Sequence, residues 1–115
     1  MKTNIKRFGL LLLFSGMWLI YLNAQQQTSE VVIKTSAQCQ TCKSTIEKNL
    51  TGLKGILSAN LDLATKNVKV VYSPEITNPD KIREAISKIG YDADNVKADP
   101  TAYQKLPTCC QKPDK

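Results

Sequence analysis

The sequence predicts an α+β domain in which a four-stranded antiparallel sheet carries two helices on one face, in the order βαββαβ. Three observations predict it. Apolar residues alternate in the runs assigned to strands, recur at three- and four-residue spacing in two others, and are separated by Gly, Pro and Asn at the joints. Residues 30–35 (EVVIKT) are β-branched and bounded by polar residues, which makes them the first strand, after a polar lead-in at residues 25–29. A loop over residues 36–41 follows. From about Cys42, Ile46, Leu50 and Leu53 fall on one face of a helix that ends near Gly52 or Gly55, with Thr41 expected as its cap.

Residues 56–63 alternate again, with Ala59, Leu61 and Leu63 on one side, and residues 64–67 (ATKN) form a turn in which Asn67 suits a left-handed conformation. Val68, Val70 and Tyr72 complete a hairpin that Pro74 ends. Asn78-Pro79-Asp80 starts the second helix with a capping side chain, a first-turn proline and an acid at the positive end of the helix dipole. Ile82, Ala85, Ile86 and Ile89 mark its buried face and Gly90 its stop, and residues 91–97 supply a short last strand. Right-handed crossovers place both helices on the same side of the sheet, which is the ferredoxin-like sandwich, spanning residues 28–98.

Two segments lie outside this domain. Residues 1–7 form a basic head and residues 8–22 an apolar run of 15, followed by Asn23-Ala24, the pattern of a secretory signal peptide cleaved after Ala24. The run is short for a bilayer span of about 20 residues, so an uncleaved membrane anchor is the weaker reading. Export to a periplasm or the exterior is therefore expected. Loss of residues 1–24 removes three of 16 basic residues and none of the 10 acids, leaving a net charge of +3. The remaining charges are interspersed, so nothing indicates nucleic-acid binding. Residues 99–115 contain Pro100, Pro107, Pro113 and the pair Cys109-Cys110, and are expected to be a flexible tail.

The chain has no histidine. Ser-His-Asp and Cys-His catalysis are thereby excluded, and no enzymatic activity is expected. Chemistry concentrates in Cys39-Gln-Thr-Cys42, at the junction of the first strand and first helix. Unpaired N–H groups at a helix start stabilise thiolates, the metal-binding form, and Lys43 places a cation nearby. Two thiolates without nitrogen or carboxylate partners suit a soft ion, Cu(I) or Hg(II). Zn(II) is disfavoured because the loop supplies only two of the four ligands it usually takes. The same pair also fits a redox or structural disulfide in an oxidising compartment.

Residues 30–97 resemble the heavy-metal-associated domain family, which includes copper chaperones, soluble domains of metal-pumping ATPases and the periplasmic mercury carrier. The resemblance rests on the strand ending at Thr35, on Cys39-Gln-Thr-Cys42, on residues 55–61 (GILSANL), and on residues 89–93 (IGYDA). It implies that Cys39 and Cys42 are the metal ligands and that Tyr91 is the aromatic placed beside the metal. It also implies a metal-transporting membrane protein as partner for a metallochaperone or scavenger. The chain would be a monomer, with a dimer bridged by metal through shared thiolates as the alternative. The family usually has Met two residues before the first cysteine. Here that position is Ala37, which leaves less apolar volume beneath the loop, so a more mobile or repacked loop is expected.

Cys109 and Cys110 are less determined. Adjacent cysteines cannot readily bridge each other. The last strand leads away from the loop by roughly 17 Å. The 11 residue steps from Ala98 to Cys109 can cover about 36 Å, enough for the tail to return. The pair could then add ligands, form disulfides with the loop in a thiol–disulfide redox protein, or do neither.

Overall fold

The computed structural model describes residues 27–112; the signal-peptide assignment of residues 1–24 lies outside them. Strands β1 (Ser29–Lys34), β2 (Ile56–Asp62) and β3 (Asn67–Tyr72) form an antiparallel sheet in the order β1-β3-β2. Register follows the alternation. Ile33 pairs with Val68 and Val31 with Val70, while Leu61 and Ala59 flank the same two residues from the other side. One face of the sheet is thereby paved with Ile33, Leu61, Val68, Val70 and Tyr72, all buried. A bulge between Ile56 and Ser58 turns Leu57 out to solvent. The turn before β3 does contain a left-handed residue, but it is Lys66 (φ 66°) and not Asn67, which already pairs in the strand.

Helices α1 (Gln40–Thr51) and α2 (Pro79–Lys88) cover that face. The stripe Cys42, Ile46 and Leu50 on α1 and the pair Ile82 and Ile86 on α2 are its fully buried contributions. Leu53, expected to continue the α1 stripe, lies past the helix end and is exposed. Asn78 caps α2 as expected, its side-chain oxygen accepting from the Lys81 N–H at 2.9 Å. The α1 cap differs from expectation. The helix begins two residues earlier, so Cys39 is the N-cap and Thr41 sits inside the first turn.

Sequence analysis also expects a fourth strand over residues 91–97, and the structure has three. Asp94 adopts φ 52°, and Ala93 and Val96 then exchange backbone hydrogen bonds of 2.9 Å, closing a tight turn. Pairing with β1 is confined to the Thr35–Ala93 bridge and to Asp94, whose N–H donates to Lys34 O and whose carboxylate accepts from Lys34 N–H. Arg83 of α2 holds the same carboxylate at 2.8 Å. A side chain thus finishes the sheet edge where a strand was expected.

The tail is the second correction. Instead of a flexible segment, residues 99–112 fold back as helix α3 (Pro100–Gln104) and a 3₁₀ turn (Thr108–Cys110). Asp99 caps α3 through Ala102 N–H, and its own N–H donates to Ser87 O. Gly90, at φ 105°, makes the close approach possible. A Cβ there would lie 3.0 Å from the Ala102 carbonyl carbon and oxygen.

Gly90→Ala is expected to combine a left-handed penalty of about 1–2 kcal/mol with this backbone clash. In a domain this size it should lower the thermal midpoint by roughly 5–10 °C or more, read by circular dichroism.

Candidate metal centre

The site is built on the hinge from β1 to α1. Thr35 anchors it, its N–H and hydroxyl both donating to Lys66 O at 2.9 Å. The Thr35 hydroxyl accepts from Ala37 N–H at 3.2 Å, and Ser36 Oγ accepts from Asp92 N–H at 2.9 Å. Hydroxyl side chains at a strand end are ready partners for such local backbone bonds. These bonds tie the loop to its neighbours, and Ala37 is fully buried in the core.

Beyond Ala37 the two cysteines face different surroundings. Cys42 belongs to the buried stripe of α1 and is wholly inaccessible. Cys39, at the helix start, is half-buried. Their sulfurs lie 3.2 Å apart. The tail brings both of its cysteines to the same place. Cys110 is buried and joined to Cys42 by a disulfide with a Cα–Cα distance of 5.6 Å. The Cys39 sulfur is 3.5 Å from that of Cys110 and 2.8 Å from that of exposed Cys109. The sulfurs of Cys39, Cys42 and Cys110 all lie within 4.8 Å of one another. This donor set is all sulfur, which suits a soft ion.

Electrostatics separate the two free thiols. The hydrogen bond shared with Cys109, and after it the N–H groups of Cys42 and Thr41 at the helix start, hold the Cys39 thiol below the ordinary thiol range against the opposing effect of burial. Cys109 is pushed the other way, by the same shared bond, by burial and by the charge that forms on Cys39. Tyr91 is fully buried, and burial raises its phenol above the usual value. Among the described residues its hydroxyl has no hydrogen-bond partner. Thr45 faces it outside bonding geometry, its own hydroxyl donating to Thr41 O at 2.8 Å.

Lys43 does not take the role expected of it. Its ammonium donates to Glu47 at 2.9 Å, to Asn60 at 3.3 Å and to Leu61 O, tying α1 to β2 and facing away from the thiols. Sequence reasoning missed Glu47, which also accepts from Leu61 N–H at 2.7 Å, although its i,i+4 spacing from Lys43 was the available signal. It also missed Asp92, which accepts from Ala98 N–H at 2.8 Å and pairs with Lys112, fixing the tail on the far side of its cysteines. No periodicity or motif marks that long-range pair.

With Cys42–Cys110 intact, iodoacetamide at pH 7 is expected to alkylate Cys39 before the more exposed Cys109. The rate at Cys39 should rise through a midpoint below the ordinary thiol value, because the anion is the stabilised form. Peptide mass mapping against pH reads both, and faster labelling of Cys109 would contradict the assignment.

Comparison with known proteins agrees with this geometry. The pattern of the family described as "Heavy-metal-associated domain" matches residues 31–92. A copper-exporting P-type ATPase of Staphylococcus aureus (strain JH9) is 44% identical over 59 residues, covering 51% of this chain and 7% of that protein. The chain thus spans less than a tenth of the length of that relative. Among solved structures, the CopZ metallochaperone is 29% identical with a TM-score of 0.54, over 56% of this chain and 98% of that one. The N-terminal soluble domains of Bacillus subtilis CopA are 35% identical with a TM-score of 0.56, over 59% of this chain and 47% of that one. Oxidized MerP from Ralstonia metallidurans, 20% identical, shares the fold with a TM-score of 0.57 over 59% and 96% of the two chains. By the match across more than half its length, this chain belongs to the heavy-metal-associated domain family.

Proposed function

We propose that the chain is an exported carrier or scavenger of a soft metal ion, which it holds as cargo on Cys39 and Cys42 and passes by thiolate exchange to a metal-transporting membrane protein. The observation that carries this is the convergence of sulfur at the start of α1, with Cys39 and Cys42 at 3.2 Å and, among the described residues, no other donor type in the cluster. Export rests on the basic head and apolar run of residues 1–22. The transporter partner is suggested by relatives that are themselves named copper-exporting ATPases. Cu(I) is the first candidate, with Hg(II) next. The exclusion of Zn(II) on ligand number weakens once the tail adds sulfur, so the metal is decided by relative affinity.

In the observed form Cys42 is committed to Cys110, so loading requires reduction of that bond. Two electrons and two protons, supplied by a dithiol that is itself oxidised to a disulfide, return both thiols. Cys39, the accessible thiol whose anion the helix start favours, is the first point of attachment, and Cys42 closes the chelate. Transfer then proceeds as thiolates of the acceptor replace these two in turn, without change in the metal's oxidation state.

A second reading has its own support. The Cys39 sulfur stands 3.2 Å and 3.5 Å from the two sulfurs of the Cys42–Cys110 disulfide, an arrangement suited to thiol–disulfide exchange. Anaerobic titration of the reduced chain with Cu(I), Hg(II) and Zn(II) separates the two. A carrier takes up one equivalent of Cu(I) or Hg(II), and Cys39→Ser/Cys42→Ser abolishes the uptake. Absence of tight binding, with turnover of a disulfide substrate, selects the redox protein.

A further inference from the structure

The tail sulfurs reach a site that the two-cysteine motif would complete without them. Resting on the carrier reading above, we propose that Cys110 is a third ligand to the cargo, so that the reduced chain holds a soft metal between three thiolates, two from the start of α1 and one from the tail. Cys109, one residue away, is not of this set.

Four observations carry the assignment. Cys110 comes within bonding range of Cys42, as their disulfide requires, so after reduction the two sulfurs have only to separate to the spacing of co-ligands. The sulfurs of Cys39, Cys42 and Cys110 satisfy the mutual distance of a common centre at 4.8 Å or less. Second, Cys110 is 1% exposed and held in a 3₁₀ turn by its own N–H donating to Pro107 O at 2.8 Å. Third, the turn is fastened on both sides. Upstream, Asp99 N–H donates to Ser87 O at 2.9 Å and α3 rests on Gly90. Downstream, Lys112 pairs with Asp92 and its N–H donates to the Tyr103 hydroxyl at 2.7 Å. The ordering cost of a third donor is thus met by folding rather than by metal binding, which raises the effective concentration of that thiol at the site. Fourth, the buried Tyr91 hydroxyl has no hydrogen-bond partner among the described residues. An O–H so placed is available to a metal-bound thiolate, which accepts hydrogen bonds more strongly than a thiol.

Cys109 lacks these properties. It is exposed, and its sulfur meets Cys39 at 2.8 Å and Cys110 at 3.9 Å without joining the three-sulfur set. Three-thiolate ligation changes the carrier's character. A site closed by its own tail gives up metal only after the tail thiol is displaced, so the chain retains cargo more firmly than a two-thiolate carrier.

X-ray absorption on the reduced, Cu(I)-loaded whole chain counts the ligands. Three sulfurs are expected in the native chain and in Cys109→Ser, and two in Cys110→Val and Cys110→Ser. Val is included because it fills the buried volume without a donor, so a folding defect of the Ser variant cannot mimic the result. Competition with a chromogenic Cu(I) chelator should show Cu(I) affinity on the order of 10- to 100-fold lower in Cys110→Val, the range common for loss of a group supporting a metal site. Two sulfurs in the native chain, with Cys110→Val unchanged, overturn the third ligand and leave Cys39 and Cys42 as carriers. Three sulfurs persisting in Cys110→Val also overturn it, the third then coming from Cys109 or a second copy. Failure of the native chain to bind either Cu(I) or Hg(II) overturns the carrier reading itself.

Discussion

The structure depends on a single stripe of α1. Cys42, Ile46 and Leu50 recur at four-residue intervals and are buried against the sheet face formed by Ile33, Leu61, Val68 and Val70. Hydrophobic docking of this stripe sets the rotation of the helix about its axis, and therefore the direction of the Cys42 sulfur. The second cysteine is a core residue as much as a site residue. Cys39, three positions earlier and at the N-cap, escapes the core and keeps access to solvent. One packing constraint thus sets an inner and an outer sulfur at 3.2 Å, and the Thr35 and Ser36 bonds hold the loop that carries them.

Around that constraint the remaining contacts divide into two groups. Lys43, Glu47 and Leu61 tie the exposed flank of α1 to β2, and Arg83 with Asp94 ties α2 to the open edge of β1. These bonds register the layers. A second group, Ser36 with Asp92 and Asp92 with Ala98 and Lys112, links the cysteine loop to the tail through one residue. Asp92 titrates below the usual carboxylate range: its burial acts upward, but Lys112 and the Ala98 N–H together outweigh it. The carboxylate side of the link, to Lys112 and Ala98, is therefore charged across the range where proteins ordinarily work and weakens as pH falls through that lowered value.

Much of this was legible in the residues. The alternation of Val68, Val70 and Tyr72 and the capping at Asn78 report local physics, and the structure realises both. The pair Cys39 and Cys42 was legible as a candidate site because spacing and position at a strand–helix joint coincide. What escaped was decided by contacts between distant residues. Nothing local distinguishes a residue 94 that ends a strand from one that continues it, since Asp94 acts through Arg83 and Lys34. The tail read as flexible because Pro100, Pro107 and Pro113 suppress periodicity, yet its order comes from Gly90, Ser87 and Asp92. Lys43 had a plausible charge for the thiols and a better partner in Glu47. Sequence proximity could not rank the two.

The disulfide between Cys42 and Cys110 spans 68 residues, enclosing β2, β3, α2 and α3 in one covalent ring. On chain-entropy grounds a loop of that length removes roughly 4 kcal/mol of freedom from the unfolded chain. Reduction restores that freedom, so the form competent to load metal is also the form most easily unfolded. A metal held by the same two sulfurs would close the same ring again. Oxidation and loading then become two alternative clasps on one loop, and the empty, reduced chain is the one form that carries neither.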